Sequence, residues 1–144
     1  LPVSFVAGRD DVIGVLTPGS EGSTFGGYPL ASVVGTYAIK VLVDNKLADN
    51  AAIRGNQLLN HFEELKNEFP DKIKHIRGKG LLTAFEMFDE PRLDGHHVSL
   101  ALLKKGIYAK ETHRTTIRIA PALTIEAWQV DNIAEAIYGV IKSI

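Results

Sequence analysis

Between Gly19 and Gly27 the chain reads Gly-Ser-Glu-Gly-Ser-Thr-Phe-Gly-Gly. Glycines let a backbone approach an anion closely, and the hydroxyls of Ser23 and Thr24 supply donors. A helix starting shortly afterwards would add unpaired amides and the positive end of its dipole. That combination suits a phosphate. A glycine-rich connector whose hydroxyls only cap turns fits the same residues. The spacing is neither the phosphate loop nor the dinucleotide fingerprint, because no Gly-Lys-Ser/Thr follows and no clean strand precedes.

Arg118 stands in Thr116-Ile117-Arg118-Ile119-Ala120-Pro121. Strand alternation puts it on the face of Thr116 and Ala120, opposite Ile117 and Ile119. A guanidinium so placed can hold a carboxylate through two parallel hydrogen bonds. An exposed edge-strand arginine with a surface ion pair accounts for the pattern equally well. The histidines make a poor metal set: His96 and His97 are adjacent and point apart, while His61, His75 and His113 lack ligand spacing. No metal is expected. Ser23 has no nucleophile elbow around it, and Lys79, between two glycines, reads as a solvated turn lysine.

These groups need elements to hold them. Residues 3–7 predict a short buried strand, and residues 9–27 a long loop of the kind that usually carries function. From Pro29, Leu30, Val33, Val34, Tyr37, Val41 and Leu42 recur at helical spacing, and proline suits a first turn. A second helix runs to about Phe69, through Leu58, Phe62 and Leu65, and Pro70 ends it. Residues 72–76 predict a strand, 77–80 a turn, and 81–88 a well-buried strand. A helix over 97–105, closed by Gly106, precedes strands at 107–110 and 116–120. An amphipathic helix fills 126–144, with Ala127, Val130, Ile133, Ala134, Ile137 and Ile141 on one stripe. The order α-α-β-β-α-β-β-α with tight turns predicts an α+β fold, an antiparallel sheet with helices packed on one side.

Composition narrows the function. The 144 residues carry 16 Lys+Arg and 17 Asp+Glu, so the near-neutral charge gives no electrostatic case for a nucleic-acid partner. No apolar run reaches the ~20 residues of a membrane helix. Zero cysteines exclude disulfides, thiolate metal sites and a cysteine nucleophile, and permit a reducing compartment. The opening Leu1-Pro2-Val3 has no initiator Met and no signal-peptide pattern, and reads as a chain entered in mid-strand.

Taken together, residues 18–30 (Pro-Gly-Ser-Glu-Gly-Ser-Thr-Phe-Gly-Gly-Tyr-Pro-Leu) resemble the P-G-x-H-G-S-T-[FY]-G-G-N-P-L segment of class III pyridoxal-phosphate aminotransferases. Three more segments agree in the same order: Arg77-Gly78-Lys79-Gly80-Leu81-Leu82, Lys110-Glu111-Thr112-His113, and Ile117-Arg118-Ile119-Ala120-Pro121-Ala122-Leu123. Within the class, Glu111-Thr112-His113 ahead of Ile-Arg-x-Ala-Pro is most similar to the ornithine aminotransferases. Acetylornithine enzymes usually differ just before that arginine. Glu21 stands where histidine is common and Tyr28 where asparagine is usual. Glu21 brings a negative charge near a phosphate site, and Tyr28 bears on the contact between subunits.

The resemblance implies a fold-type I pyridoxal 5'-phosphate enzyme, of which this chain is the C-terminal part. Residues 1–28 would be the last strand and Gly-Ser-Thr loop of the large domain, 29–46 an interdomain helix, and 47–144 the small α+β domain. It implies a homodimer in which the loop enters the neighbouring subunit's site, with Thr24, and Ser23 beside it, on the cofactor phosphate. Arg118 would grip a carboxylate of glutamate or 2-oxoglutarate; the glutamate that pairs with this arginine in ornithine enzymes has no assignable position here. The lysine that anchors the cofactor would precede Pro2, so no catalytic residue is expected in this chain and no transaminase activity from it alone. The partners implied are small amino and 2-oxo acids, in the cytoplasm or, in a eukaryote, the mitochondrial matrix. The alternatives are an acetylornithine or 4-aminobutyrate aminotransferase, or a non-catalytic assembly domain with the glycine loop as linker.

Overall fold

The structure is a computed structural model that describes residues 1–91 and 94–144. It divides into two compact units, Leu1–Asn45 and Lys46–Ile144.

The first unit holds two helices, α1 (Asp10–Ile13) and α2 (Pro29–Asp44). The strand expected at residues 3–7 is absent: Val3, Phe5 and Val6 are exposed and no strand pairs with them. An apolar run becomes a strand only where a neighbour takes up its backbone hydrogen bonds, and here Val3 lies against Gly35 of α2. The long loop is also shorter than expected, because Asp10–Ile13 form one helical turn, with the Ile13 N–H bonded to the Arg9 carbonyl. Pro29 begins α2 as expected. Only Ala31 of this unit is buried. Leu30, Val33 and Tyr37 are exposed on α2, and so are Ile39 and Val43 off that stripe. A helix apolar on every side is suited to a covered setting.

The second unit opens with α3 (Leu47–Glu68), entered through Lys46 at φ 50°. Strands β1 (Ile73–Lys79) and β2 (Leu82–Met87) follow, then α4 (Gly95–Lys104), β3 (Lys110–Thr112), β4 (Thr116–Ile119) and α5 (Ala127–Ser143). The four strands form one antiparallel sheet in the order β1-β2-β4-β3, and the α+β expectation holds. Thr83, Phe85 and Met87 of β2 and Ile117 and Ile119 of β4 are buried on one face. That face packs with Leu58, Phe62 and Leu65 of α3, Val98 and Leu102 of α4, and Val130, Ile137 and Ile141 of α5. Phe62 meets Phe85 edge to face, 5.4 Å between ring centroids.

Three strand readings differ from expectation. Residues 77–79, expected in a turn, continue β1, and the turn is Gly80-Leu81. Gly78 serves the strand rather than the turn, because a Cβ there would lie 2.9 Å from Thr83 Cα across the ladder. The strand expected to be well buried, with apolar residues on both faces apart from Thr83 and Glu86, is β2, which alternates instead, with Leu82 exposed. The strand expected at 107–110 begins only at Lys110, because α4 closes over residues 105–107. Gly106 (φ 81°) donates to Leu103 O at 2.9 Å and Ile107 to Leu102 O at 3.0 Å, a paired C-terminal cap. The start of α4 also comes earlier, where Asp94 accepts from the His96 N–H at 3.1 Å. Among the described residues, no helix is long and apolar enough to cross a membrane.

Candidate functional site

In the first unit, the hydroxyl-bearing segment is a chain of tight turns. The Ser20 N–H donates to Thr17 O at 2.9 Å, Gly26 to Ser23 O at 3.0 Å, and Tyr28 to Phe25 O at 3.1 Å. Gly19 (φ 88°) and Gly27 (φ 70°) take the left-handed conformation that other residues resist. The Ser20 hydroxyl donates to Thr17 O and that of Ser32 to Tyr28 O. Ser23 and Thr24 are exposed, and among the described residues their hydroxyls have no protein partner. Tyr28, the residue that opens α2, provides no side-chain cap, so the first-turn amides are uncapped as well. A phosphate-bearing cofactor asks this segment for unengaged donors beside an open backbone. Ser23, Thr24 and the bare glycines, with nothing within 4 Å of a Cβ at Gly22 or Gly27, fit that demand.

In the second unit, the sheet face away from the helices carries the charge. Paired residues of an antiparallel ladder share a face, and the register sets Arg77 opposite Ala84, Ala84 opposite Arg118, and Arg118 opposite Lys110. The neighbouring row is His75, Glu86, Thr116 and Thr112. Arg118 is exposed while Ile117 and Ile119 are fully or almost fully buried, as the alternation predicted. Glu86 accepts from Arg77 Nη1 at 3.0 Å and Lys74 Nζ at 3.3 Å. The Arg77 hydrogen bond holds the Glu86 carboxyl below its ordinary value, against the opposing effect of burial. Arg77 also donates to Thr116 Oγ1 at 3.4 Å.

A second polar cluster joins α3 to α5. Gln57 Nε2 donates to Asp131 Oδ1 at 2.6 Å, and His61 Nε2 lies 2.9 Å from the same oxygen. Those two contacts, His61 first, hold the Asp131 carboxyl below its usual range. Glu68 takes a short hydrogen bond from Tyr138 that pushes the phenol up. This cluster ties two helices together in an open groove. Among the described residues, no group of three or more His, Cys, Asp or Glu gathers to hold a metal ion.

Ser23 and Thr24 thus adjoin in the turn of the first unit, and Arg118 stands on the open sheet face of the second. The Arg77–Glu86–Lys74 network went unread in the sequence because residues 77–79 look like a turn. By period-two alternation Lys74 and Arg77 fall on opposite faces, and a register shift between Ile73 and His75 intervenes, so no local signal in the sequence pointed to it.

The model of the aminotransferase class-III family matches residues 1–141. A mitochondrial ornithine aminotransferase of Arabidopsis thaliana is 38% identical over 144 residues, which are 99% of this chain and 30% of that protein. The crystal structure of the ornithine aminotransferase from Toxoplasma gondii ME49 matches with a TM-score of 0.83 and 38% identity, over 94% of this chain and 32% of that one. An acetylornithine aminotransferase from Elizabethkingia anophelis matches with a TM-score of 0.83 and 36% identity, over 94% of this chain and 34% of that one. The chain spans about a third of the length of the curated relatives it matches.

Proposed function

The chain belongs to the class III aminotransferases, and from that premise we propose that it is part of an ornithine aminotransferase. The reaction moves the δ-amino group of ornithine to 2-oxoglutarate, leaving glutamate semialdehyde and forming glutamate. Ornithine aminotransferases recur among the curated relatives at 35 to 41% identity, which supports this donor over acetylornithine or 4-aminobutyrate. A non-catalytic assembly role would give the unengaged hydroxyls of Ser23 and Thr24 nothing to do.

Pyridoxal 5'-phosphate, when bound, supplies the electron sink that amino-group transfer needs. Thr24, with Ser23 beside it, donates to its phosphate, in a homodimer from the loop of the neighbouring subunit. Arg118 receives a carboxylate of the acceptor on a guanidinium whose backbone is fixed by the buried Ile117 and Ile119. Its fork of donors orients a planar carboxylate as well as attracting it. The family's covalent lysine, which also moves the proton, is assigned to no position of this chain, so these residues bind and orient.

The observation that carries this reading is that two of the motifs present free groups: open hydroxyls at Ser23 and Thr24 in one segment and the exposed Arg118 in another. The test is turnover of ornithine with 2-oxoglutarate by the cofactor-loaded protein that carries this chain. Glutamate semialdehyde is the product expected. A preference for acetylornithine or 4-aminobutyrate would reassign the donor, and turnover by residues 1–144 alone would overturn the division of labour.

A further inference from the structure

Between Gly19 and Gly27, Phe25 carries the only apolar side chain, and it is 80% exposed. The Gly26 N–H donates to Ser23 O at 3.0 Å, which closes a tight turn with Thr24 and Phe25 as its two corner residues. A second turn follows at once, from the Tyr28 N–H to Phe25 O at 3.1 Å, with Gly27 (φ 70°) at its corner. Neighbouring Cα atoms stand about 3.8 Å apart, so the ring travels with the Thr24 hydroxyl wherever the turn goes. Among the described residues, Phe25 belongs to neither the core cluster nor a ring pair. Single exposed apolar side chains are ordinary on a protein surface. What sets this one apart is its place beside a hydroxyl that is also unengaged among the described residues.

Resting on the functional reading above, we propose that Phe25 is a positioning residue: its ring seats in an apolar recess of the neighbouring subunit and holds Thr24 at that subunit's cofactor phosphate. A hydroxyl alone is a weak anchor. Its hydrogen bond to the phosphate replaces one to water, so the net gain is modest. The segment between Gly19 and Gly27 is rich in glycine, and ordering it costs conformational entropy. Burying a phenyl ring is favourable in any direction and offsets that cost one residue from the donor. Recognition is thus divided between adjacent corners of one turn, the ring supplying attachment and the hydroxyl supplying direction. A ring that only faced water would leave cofactor affinity untouched.

The experiment titrates pyridoxal phosphate, by absorbance, into the protein that carries this chain as wild type, Phe25→Ala, Phe25→Tyr and Thr24→Val. Losing the seated ring should weaken cofactor binding about ten- to a hundredfold in Phe25→Ala. Phe25→Tyr keeps the ring and should recover most of the loss. At saturating cofactor, the KM values of Phe25→Ala for ornithine and 2-oxoglutarate should hold, because the ring touches neither. Co-expression of Phe25→Ala with Arg118→Met then tests which subunit receives the ring. If it acts across the interface, one site of each mixed dimer keeps an intact loop and Arg118, and turnover exceeds that of either variant alone. No gain would place the ring in its own subunit and overturn the proposal. If Thr24→Val binds the cofactor as tightly as wild type, the functional reading of the loop falls and this one with it. If Thr24→Val weakens binding while Phe25→Ala stays within about twofold of wild type, only the role of Phe25 is overturned.

Discussion

Gly55 of α3 meets Gly80 of the β1–β2 turn backbone to backbone. A Cβ on Gly55 would lie 2.7 Å from Gly80 Cα and closer still to its carbonyl, and Gly80 itself is at φ 54°. Gly55→Ala therefore has to push helix and turn apart, an overpacking that costs about 1–3 kcal/mol. Urea unfolding of the two proteins measures it, and an unchanged midpoint would mean that α3 is free to move off the sheet.

The ring of Phe85 is fully buried and stacks edge-on against Phe62. Phe85→Ala removes both the burial and the ring contact and leaves a cavity beneath the sheet. The expected loss is about 3–5 kcal/mol, read from the same urea titration. A loss below about 1 kcal/mol would show that α3 collapses into the space.

The clasp on Asp131 predicts how stability changes in acid. Its carboxyl is held below the ordinary value by His61 and then Gln57, so the clasp stabilises the fold above the unfolded carboxylate pKa of about 3.9. That contribution disappears as pH falls through the lower folded-state value. The urea midpoint of wild type should thus drop more steeply than that of Asp131→Asn between about pH 5 and pH 2.5. Parallel curves would remove Asp131 from the acid response.

In the protein that carries this chain, Thr24→Val should weaken cofactor binding by about 1.5–3 kcal/mol, the usual worth of a hydrogen bond to a charged group. An absorbance titration with pyridoxal phosphate measures it. Unchanged affinity would favour the glycine segment as a plain connector. Glu21→His, which places the residue common in the family, should strengthen binding in the same titration by removing a negative charge near the phosphate.

Residues 46–144 should fold cooperatively on their own, because every fully buried large side chain belongs to them. A single sigmoidal melt of that segment is the expected result. Residues 1–45, with Ala31 alone buried, should show no such transition.

Much of this was legible in the sequence, and the exceptions have physical causes. Helices α2, α3 and α5 announce themselves because their apolar spacing is long and Pro29 and Pro70 mark boundaries. Alternation alone put Arg118 on the face opposite Ile117 and Ile119. Residues 3–7 misled because an apolar run carries no record of whether a neighbour will pair with it. Gly78 misled because Gly-Lys-Gly reads as a turn, whereas its missing Cβ makes room for Thr83 in the ladder. The row from Arg77 to Lys110 depended on registers between strands far apart in sequence, and no local pattern encodes those.

Strand β4 has a mechanical consequence. Ile117 and Ile119 are driven into the interior, while Arg118 between them is raised outward. One short rail therefore carries both the anchorage and the reader, and heat cannot loosen the second before it loosens the first. Anion recognition should stay sharp on warming until melting begins, then fail abruptly along with the fold.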